Sequence, residues 1–533
     1  MTQNTTDQTS NDSSKRDIDD TPAQREVMSN SMWNTINPPV FFTSAGLLIL
    51  LLVFSVFDPE TAISFFGAIK SYILDTFGWF YILSVSIFFV FAMWLAFSPY
   101  GDLVLGADDE QPKYGRASWY AMLFAAGMGI GLVFYGVAEP IAHYRYPPVG
   151  VGQSPEALTY ALPLTFHHWG LHAWAVYAII GLCIAFFTYR RGLPLALRSC
   201  FYPIFGDRIH GWIGHSIDIV AVFGTLFGLA TSLGVGATSV STGFNRLFDT
   251  PDTTTFQLGI IGMITLAATI SLVTGVDKGI KILSEANMVI AACLLFFVFF
   301  TGPTIYILER FVESIGLYLN DFVERSFKIG QPGTNEAGWI KGWSAVYWGW
   351  WIAWAPFVGM FVARISRGRK VRDFVLSVVF VPILVTFFWF SIFGGAALSP
   401  ELRPDIISTV TQATTSSQAD ALAVYAMLEQ LPGSEVLCFL AAIVMIIFFV
   451  SSSDSASFVV DMLTSGGHLD PPVWQRVFWA TAEGATAGVL LYTGGERVLE
   501  GLKAGVVGFG LPFCFLMLLM CYALYRGLQD EKV

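Results

Sequence analysis

The chain is short of charge: Asp, Glu, Lys and Arg make up 13% of its 533 residues, against roughly 25% in soluble domains. A soluble protein of this size would lack the polar surface to stay dispersed, so an aqueous setting is excluded. Cysteine is scarce too. The six present (Cys183, Cys200, Cys293, Cys438, Cys514 and Cys521) have neither metal-ligand nor disulfide spacing, which leaves them as small core hydrophobes. Basic residues number 29 against 40 acidic ones, a net charge of −11 that disfavours a nucleic-acid partner. The sequence also lacks a nucleophile, base and orienter set for hydrolysis and a ring of charge or filter loop for a channel.

What is there is apolar: 54% of residues, arranged in blocks of about 18 to 24, the length a helix needs to cross ~30 Å of hydrocarbon. Twelve such blocks lie near 40–57, 79–98, 117–138, 167–187, 216–238, 258–275, 286–307, 342–364, 373–396, 436–460, 474–492 and 503–526. The expectation is an all-α membrane protein of twelve transmembrane helices, with no soluble domain between them. Residues 1–30 are too polar to bury surface and read as a disordered tail. The first apolar block begins too far along for a cleavable signal and reads as a retained span. Residues 40–98 form a leading pair of spans, and 527–533 a short C-terminal tail. With the N-terminus inside, the inner loops hold fourteen Lys and Arg and the outer segments ten. Two inner clusters, Arg190-Arg191 and Arg364 to Arg372, abut span ends, where the positive-inside rule acts most strongly. Both termini are expected in the cytoplasm.

Between the seventh and eighth blocks, residues 309–328 carry Phe311, Ile315, Leu319, Phe322 and Val323 at helical spacing, with Arg310, Glu313, Asp321 and Glu324 on the other face. The segment reads as an amphipathic helix, either on the outer membrane surface or packed on the outer loops. It marks the middle of the chain. The third block is interrupted by glycines and the eighth by a tryptophan-and-glycine run, five spans apart. Paired interruptions point to inverted repeats, here 117–307 and 342–526, with a site at the midplane.

Four constellations carry chemistry. Gly127-Met128-Gly129-Ile130-Gly131 weakens the third span by roughly 1 kcal/mol per glycine. It can free backbone carbonyls for a ligand or cation, or serve close helix packing, since Gly127 and Gly131 also have small-x3-small spacing. Six of sixteen tryptophans fall between 339 and 354. Trp339 and Trp343 fit an interfacial belt, whereas Trp350, Trp351 and Trp354 lie deeper, where ring faces can hold a quaternary ammonium by up to ~2 kcal/mol each. Span four adds Trp169, Trp174 and Tyr177. His167, His168 and His172 lie beside them, without a carboxylate that would complete a metal site. Span ten reads Phe448-Phe449-Val450-Ser451-Ser452-Ser453-Asp454-Ser455. Its hydroxyls suit sodium or bond back to their own helix, and Asp454 stands out as the one acid deep in a span.

Together the motifs at 127–131, 348–361 (WGWWIAWAPFVGMF) and 363–369 (ARISRGR) resemble the betaine/choline/carnitine transporter family, over residues 35 to 525. The resemblance implies a leucine-transporter-like core of two inverted five-helix repeats, a homotrimer in a bacterial inner membrane, contact with lipids and no catalytic residue. It implies an onium substrate site of Trp169, Trp174, Tyr177 and Trp351, lined further by Trp350, Trp354, Ser232 and the glycine motif (Gly127, Met128, Gly129, Gly131). Sodium, the coupling ion and sole cofactor-like partner, is implied at Ala125, Met128, Phe448, Ser451 and Ser452. A second sodium site would use Thr225 and Phe357, but Leu229 stands where sodium-coupled members carry a second threonine. The glycine motif resembles that of sodium-driven glycine betaine carriers rather than proton-driven choline carriers. A sodium-independent carnitine-type exchanger or a dimethylsulfoniopropionate carrier is the alternative.

Overall fold

The computed structural model describes residues 36–127, 129–274, 277–468, 471–494 and 498–531, so the tail expected at 1–30 and Met128 lie outside the described residues. Helices fill the chain because long apolar runs in lipid must satisfy their backbone internally. The described residues otherwise hold one isolated bridge, between Val104 and Lys370. Entry points are specified locally. Ser154 and Asp58 accept the N–H of Ala157 and Thr61, and proline occupies the first turn behind each.

In chain order, α1 is Pro38–Phe57, α2 Pro59–Phe97, α3 Arg116–Gly127, α4 Ile130–Arg145, α5 Pro155–Trp169, α6 Leu171–Ala185, α7 Trp212–Phe248, α8 Thr254–Thr274 and α9 Asp277–Thr301. After the amphipathic α10, Thr304–Asn320, come α11 Val346–Ile365, α12 Val371–Ala397, α13 Arg403–Thr411, α14 Ser416–Leu428, α15 Ser434–Thr464, α16 Val473–Gly494 and α17 Val498–Gln529. Ten helical stretches among the described residues are long and apolar enough to cross a membrane. The expected third span falls outside that set because the glycines divide it into α3 and α4, of 12 and 16 residues. The expected eleventh falls outside it because α16 carries Gln475, Arg476 and Glu483.

The structure departs from the sequence reading in several places. The eighth span is not interrupted: α11 runs unbroken through Gly349, Pro356 and Gly359, because isolated glycines in a tightly packed helix cost too little to open it. The break lies in span four instead. Gly170 separates α5 from α6, and the Tyr318 hydroxyl of α10 accepts the freed Leu171 N–H at 3.1 Å. A side chain at Gly170 would strike that hydroxyl at 2.7 Å. Finally, the segment between spans nine and ten folds as α13 and α14, too short to register as spans; α14 is largely buried and packs on α4 and α7. The expected tail at 527–533 begins inside α17, where Arg191 donates to the Gly527 carbonyl at 2.6 Å and Arg190 pairs with Glu531 at 2.7 Å.

The ARISRGR stretch closes the inner loop. Gly368 takes φ +79° against Gln111, the Arg369 guanidinium lies 4.3 Å above the Trp119 ring, and Arg369 donates to the Tyr114 carbonyl.

α11 sits at the centre, packed on α6, α7 and α17. Its neighbours approach through glycine: a methyl at Gly510 would lie 2.8 Å from the Gly349 carbonyl, and one at Gly359 would lie 2.2 Å from Ile180 Cγ2. Gly359→Val is therefore expected to overpack the α6–α11 crossing by about 1–3 kcal/mol, read as a melting temperature lowered by several degrees in detergent. An unchanged transition would mean that the crossing is looser than described.

Candidate functional site

A cavity of ≈ 440 Å³ lies where α4, α7, α9, α11 and α15 meet the α5–α6 break. One wall is aromatic. Trp169 comes from α5, Tyr177 from α6, and Tyr347, Trp350, Trp351 and Trp354 from α11. Trp351 stands perpendicular to Trp169 at 5.2 Å between ring centroids and at 71° to Tyr177 at 5.4 Å. Its indole N–H is held by the His168 carbonyl at 3.0 Å. Trp174, expected in the same site, does not line the cavity; it is buried behind Tyr177, 5.7 Å away.

The other wall is polar and neutral: Ser232 on α7, Ser284 and Asn287 on α9, and Ser451, Ser452 and Ser455 on α15. Gly129 and Gly131 lie between the walls. A methyl at Gly131 would touch Trp169 Cη2 at 2.9 Å, and one at Gly129 would stand 4.0 Å from Ser452 Oγ. The glycine break thus abuts an indole on one side and the span-ten serines on the other. Among the described lining residues none carries a formal charge.

The remaining expected residues fall in different places. Phe357, Leu229 and Phe448 line the cavity, and Ala125 and Gly127 belong to the last turn of α3. Thr225 does not reach it and gives its hydroxyl proton to the Ala221 carbonyl at 3.0 Å. Ser451 bonds back to Phe448 O and Ser455 to Ser451 O, while Ser453 turns to Glu483 on α16. The span-ten serines therefore serve two faces.

Asp454 is not the one deep acid, since Glu139, Asp218, Asp461 and Glu483 are fully buried. Glu139 matters most here. Its Oε2 accepts from the Trp169 indole at 2.8 Å and the Tyr347 hydroxyl at 2.6 Å, and its Oε1 meets His168 Nδ1 at 2.6 Å and His143 Nε2 at 3.1 Å. The carboxylate found missing beside the histidines is this one. It bonds to His168 rather than sharing a metal with it: 2.6 Å is well inside the ~3.3 Å between two ligand atoms that a tetrahedral metal holds at ~2.0 Å. His172 packs instead on Phe322 and Trp348. Trp339 and Trp343 are not simple belt residues either, because both pack on the rings of His143 and His168.

A second cavity of ≈ 580 Å³, bordered by Arg145, Asp420 and Lys503, adjoins the first at Tyr347 and Trp350. Tyr135, Tyr347 and Trp350 stand 5.8 to 6.0 Å apart in a mutual cluster between the two.

A neutral, aromatic-walled cavity beside a broken helix is the setting of a solute carrier, and the family model described as "BCCT, betaine/carnitine/choline family transporter" matches residues 39–533. The chain belongs to this family. It is a membrane transporter and not an enzyme. Glycine betaine transporter 1 of Vibrio parahaemolyticus is 44% identical over 93% of this chain and 94% of its own. The Bacillus subtilis glycine betaine transporter OpuD is 42% identical over 92% and 94%. A second Vibrio parahaemolyticus protein, named a glycine betaine/proline/choline/ectoine transporter, is 42% identical over 97% and 92%.

Sequence reasoning missed Glu139 and Tyr347 among the groups that shape this family member's cavity. An acid directly after the apolar block at 117–138 was the available signal for Glu139. Glu139→Ala would strand an indole N–H, a hydroxyl and two imidazole nitrogens, each at about 1–3 kcal/mol. A strongly lowered melting temperature is expected, with Glu139→Gln, which keeps an acceptor, falling less. Equal stability of the alanine variant and the parent would contradict the network.

Proposed function

We propose that this transporter carries glycine betaine or a closely related onium solute, coupled to sodium, by alternating access. The observation that carries the reading is the aromatic wall of Trp169, Tyr177 and Trp351 around a cavity with no charged residue among the described residues that line it. A quaternary ammonium offers no strong hydrogen-bond donor, so mutually perpendicular ring faces are what can hold it. The names of the two glycine betaine relatives support the same substrate class.

Sodium is assigned to the meeting of the glycine break with Ser451 and Ser452, with Ala125, Met128 and Phe448 completing the set by family likeness. A hydroxyl that gives its proton to Phe448 O, as Ser451 does at 3.1 Å, keeps its lone pairs for a cation. Leu229 on the cavity wall, and Thr225 standing outside the lining, weigh against the second sodium site. Each ligand then favours the same conformation, which is all that coupling requires.

Counting α3 with α4 as one crossing, α5 with α6 as another, and α16 as a third gives twelve crossings with the rest. The repeats are supported by reciprocal packing: α6 packs on α11 as α12 packs on α4. Both termini are placed in the cytoplasm of a bacterial inner membrane, and the assembly is read as a homotrimer in lipid. The cavity reaches Met122 and Phe361 near the basic, inner ends of α3 and α11, while the Tyr135–Tyr347–Trp350 cluster closes the outer side. The reading is therefore an inward-facing state.

Uptake of labelled glycine betaine into cells or proteoliposomes is expected to collapse when potassium replaces sodium, and accumulation undiminished by that exchange would sink the coupling. Trp351→Leu is expected to weaken glycine betaine, choline and dimethylsulfoniopropionate at least tenfold in a tryptophan-fluorescence titration. Retained affinity for all three would remove the aromatic site.

A further inference from the structure

Asn287 is a cavity residue whose chemistry the reading above leaves unused. It is fully buried on α9, three residues beyond Ser284, and faces the polar wall that α9 builds with α15. Both Oδ1 and Nδ2 lack a hydrogen-bond partner in the protein. An amide left that way costs about 1–3 kcal/mol, and native proteins leave few such groups without a reason.

The ligand supplies the reason. A betaine carries a carboxylate as well as an onium group, and a carboxylate needs protons donated to it. No Lys, Arg or His is among the described residues lining the cavity. Three of the hydroxyls lining the cavity already donate elsewhere: Ser232 to Gly228 O, Ser451 to Phe448 O and Ser455 to Ser451 O. Such hydroxyls offer lone pairs, which suit a cation and repel a carboxylate. The amide of Asn287 offers two N–H protons.

We propose that Asn287 donates to the carboxylate of the bound zwitterion and thereby separates carboxylate-bearing onium solutes from simple onium cations. This rests on the betaine reading of the cavity. The tryptophans recognise what the two ligand classes share, and Asn287 recognises where they differ.

The test is a fluorescence titration of the purified full chain, in sodium, with glycine betaine and with tetramethylammonium, for the parent, Asn287→Leu and Asn287→Asp. Asn287→Leu is expected to weaken glycine betaine tenfold or more and to leave tetramethylammonium within twofold. Asn287→Asp, close in shape, is expected to weaken glycine betaine further by repulsion and to strengthen tetramethylammonium. Removing an unpartnered buried amide should also leave the ligand-free melting temperature no lower in Asn287→Leu. If glycine betaine and tetramethylammonium weaken together, or if neither weakens, the assignment is overturned. Should Asn287→Leu fail to fold, Asn287→Asp decides by the same comparison. A parent that binds neither ligand would instead overturn the onium reading at the tryptophans.

Discussion

A carboxylate sealed inside a membrane protein has to be met by donors from every side, and Glu139 draws them from three separate stretches of chain. His143 comes from its own helix, Trp169 and His168 from α5, and Tyr347 from α11. In a medium without water the alternative is an unsatisfied charge, so these elements are held in register by the expense of separating them. The positions of the cavity's rings follow. Trp169 is aimed by its N–H, Tyr347 by its hydroxyl, and Trp351 by the His168 carbonyl one residue from the same hub. A pocket that recognises its ligand through ring faces needs that orientation, since a rotated ring presents its positive edge.

The glycines do the complementary work of letting backbone and ring approach. Gly131 is the place where α4 comes against the Trp169 ring, and a methyl there, 2.9 Å from Cη2, would force the ring or the helix to shift. Behind α11, Gly510 and Gly181 let α17 and α6 close in. Large aromatic side chains on one face and bare backbone on the other make α11 a wall whose front is shaped by rings and whose back is fixed by contact.

Much of this was legible in the chain. Apolar runs marked the helices, because lipid leaves the backbone no other way to be satisfied, and the glycine motif marked a real break between α3 and α4. The tryptophan run marked the cavity wall for Trp350, Trp351 and Trp354. What local pattern could not carry was pairing across the chain. The eighth span looked interrupted because its tryptophan-and-glycine run reads as a helix breaker, when Gly349 and Gly359 serve close packing against neighbours more than 150 residues away. Gly170 looked innocuous because its consequence depends on Tyr318 in another helix. Trp174 shared a helical face with Tyr177 and yet stands behind it, since periodicity gives a face and not its depth. The histidines appeared to lack a carboxylate because theirs lies about thirty positions earlier, at Glu139.

The absence of charge from the described residues that line the cavity bears on competition. A potassium ion entering it would have to surrender a tightly bound shell of water for ring faces that replace only part of it. A methylated onium has little such shell to surrender, since its methyl groups already keep water at a distance. On the onium reading proposed above, walls of rings therefore sort cations by how readily they part with water.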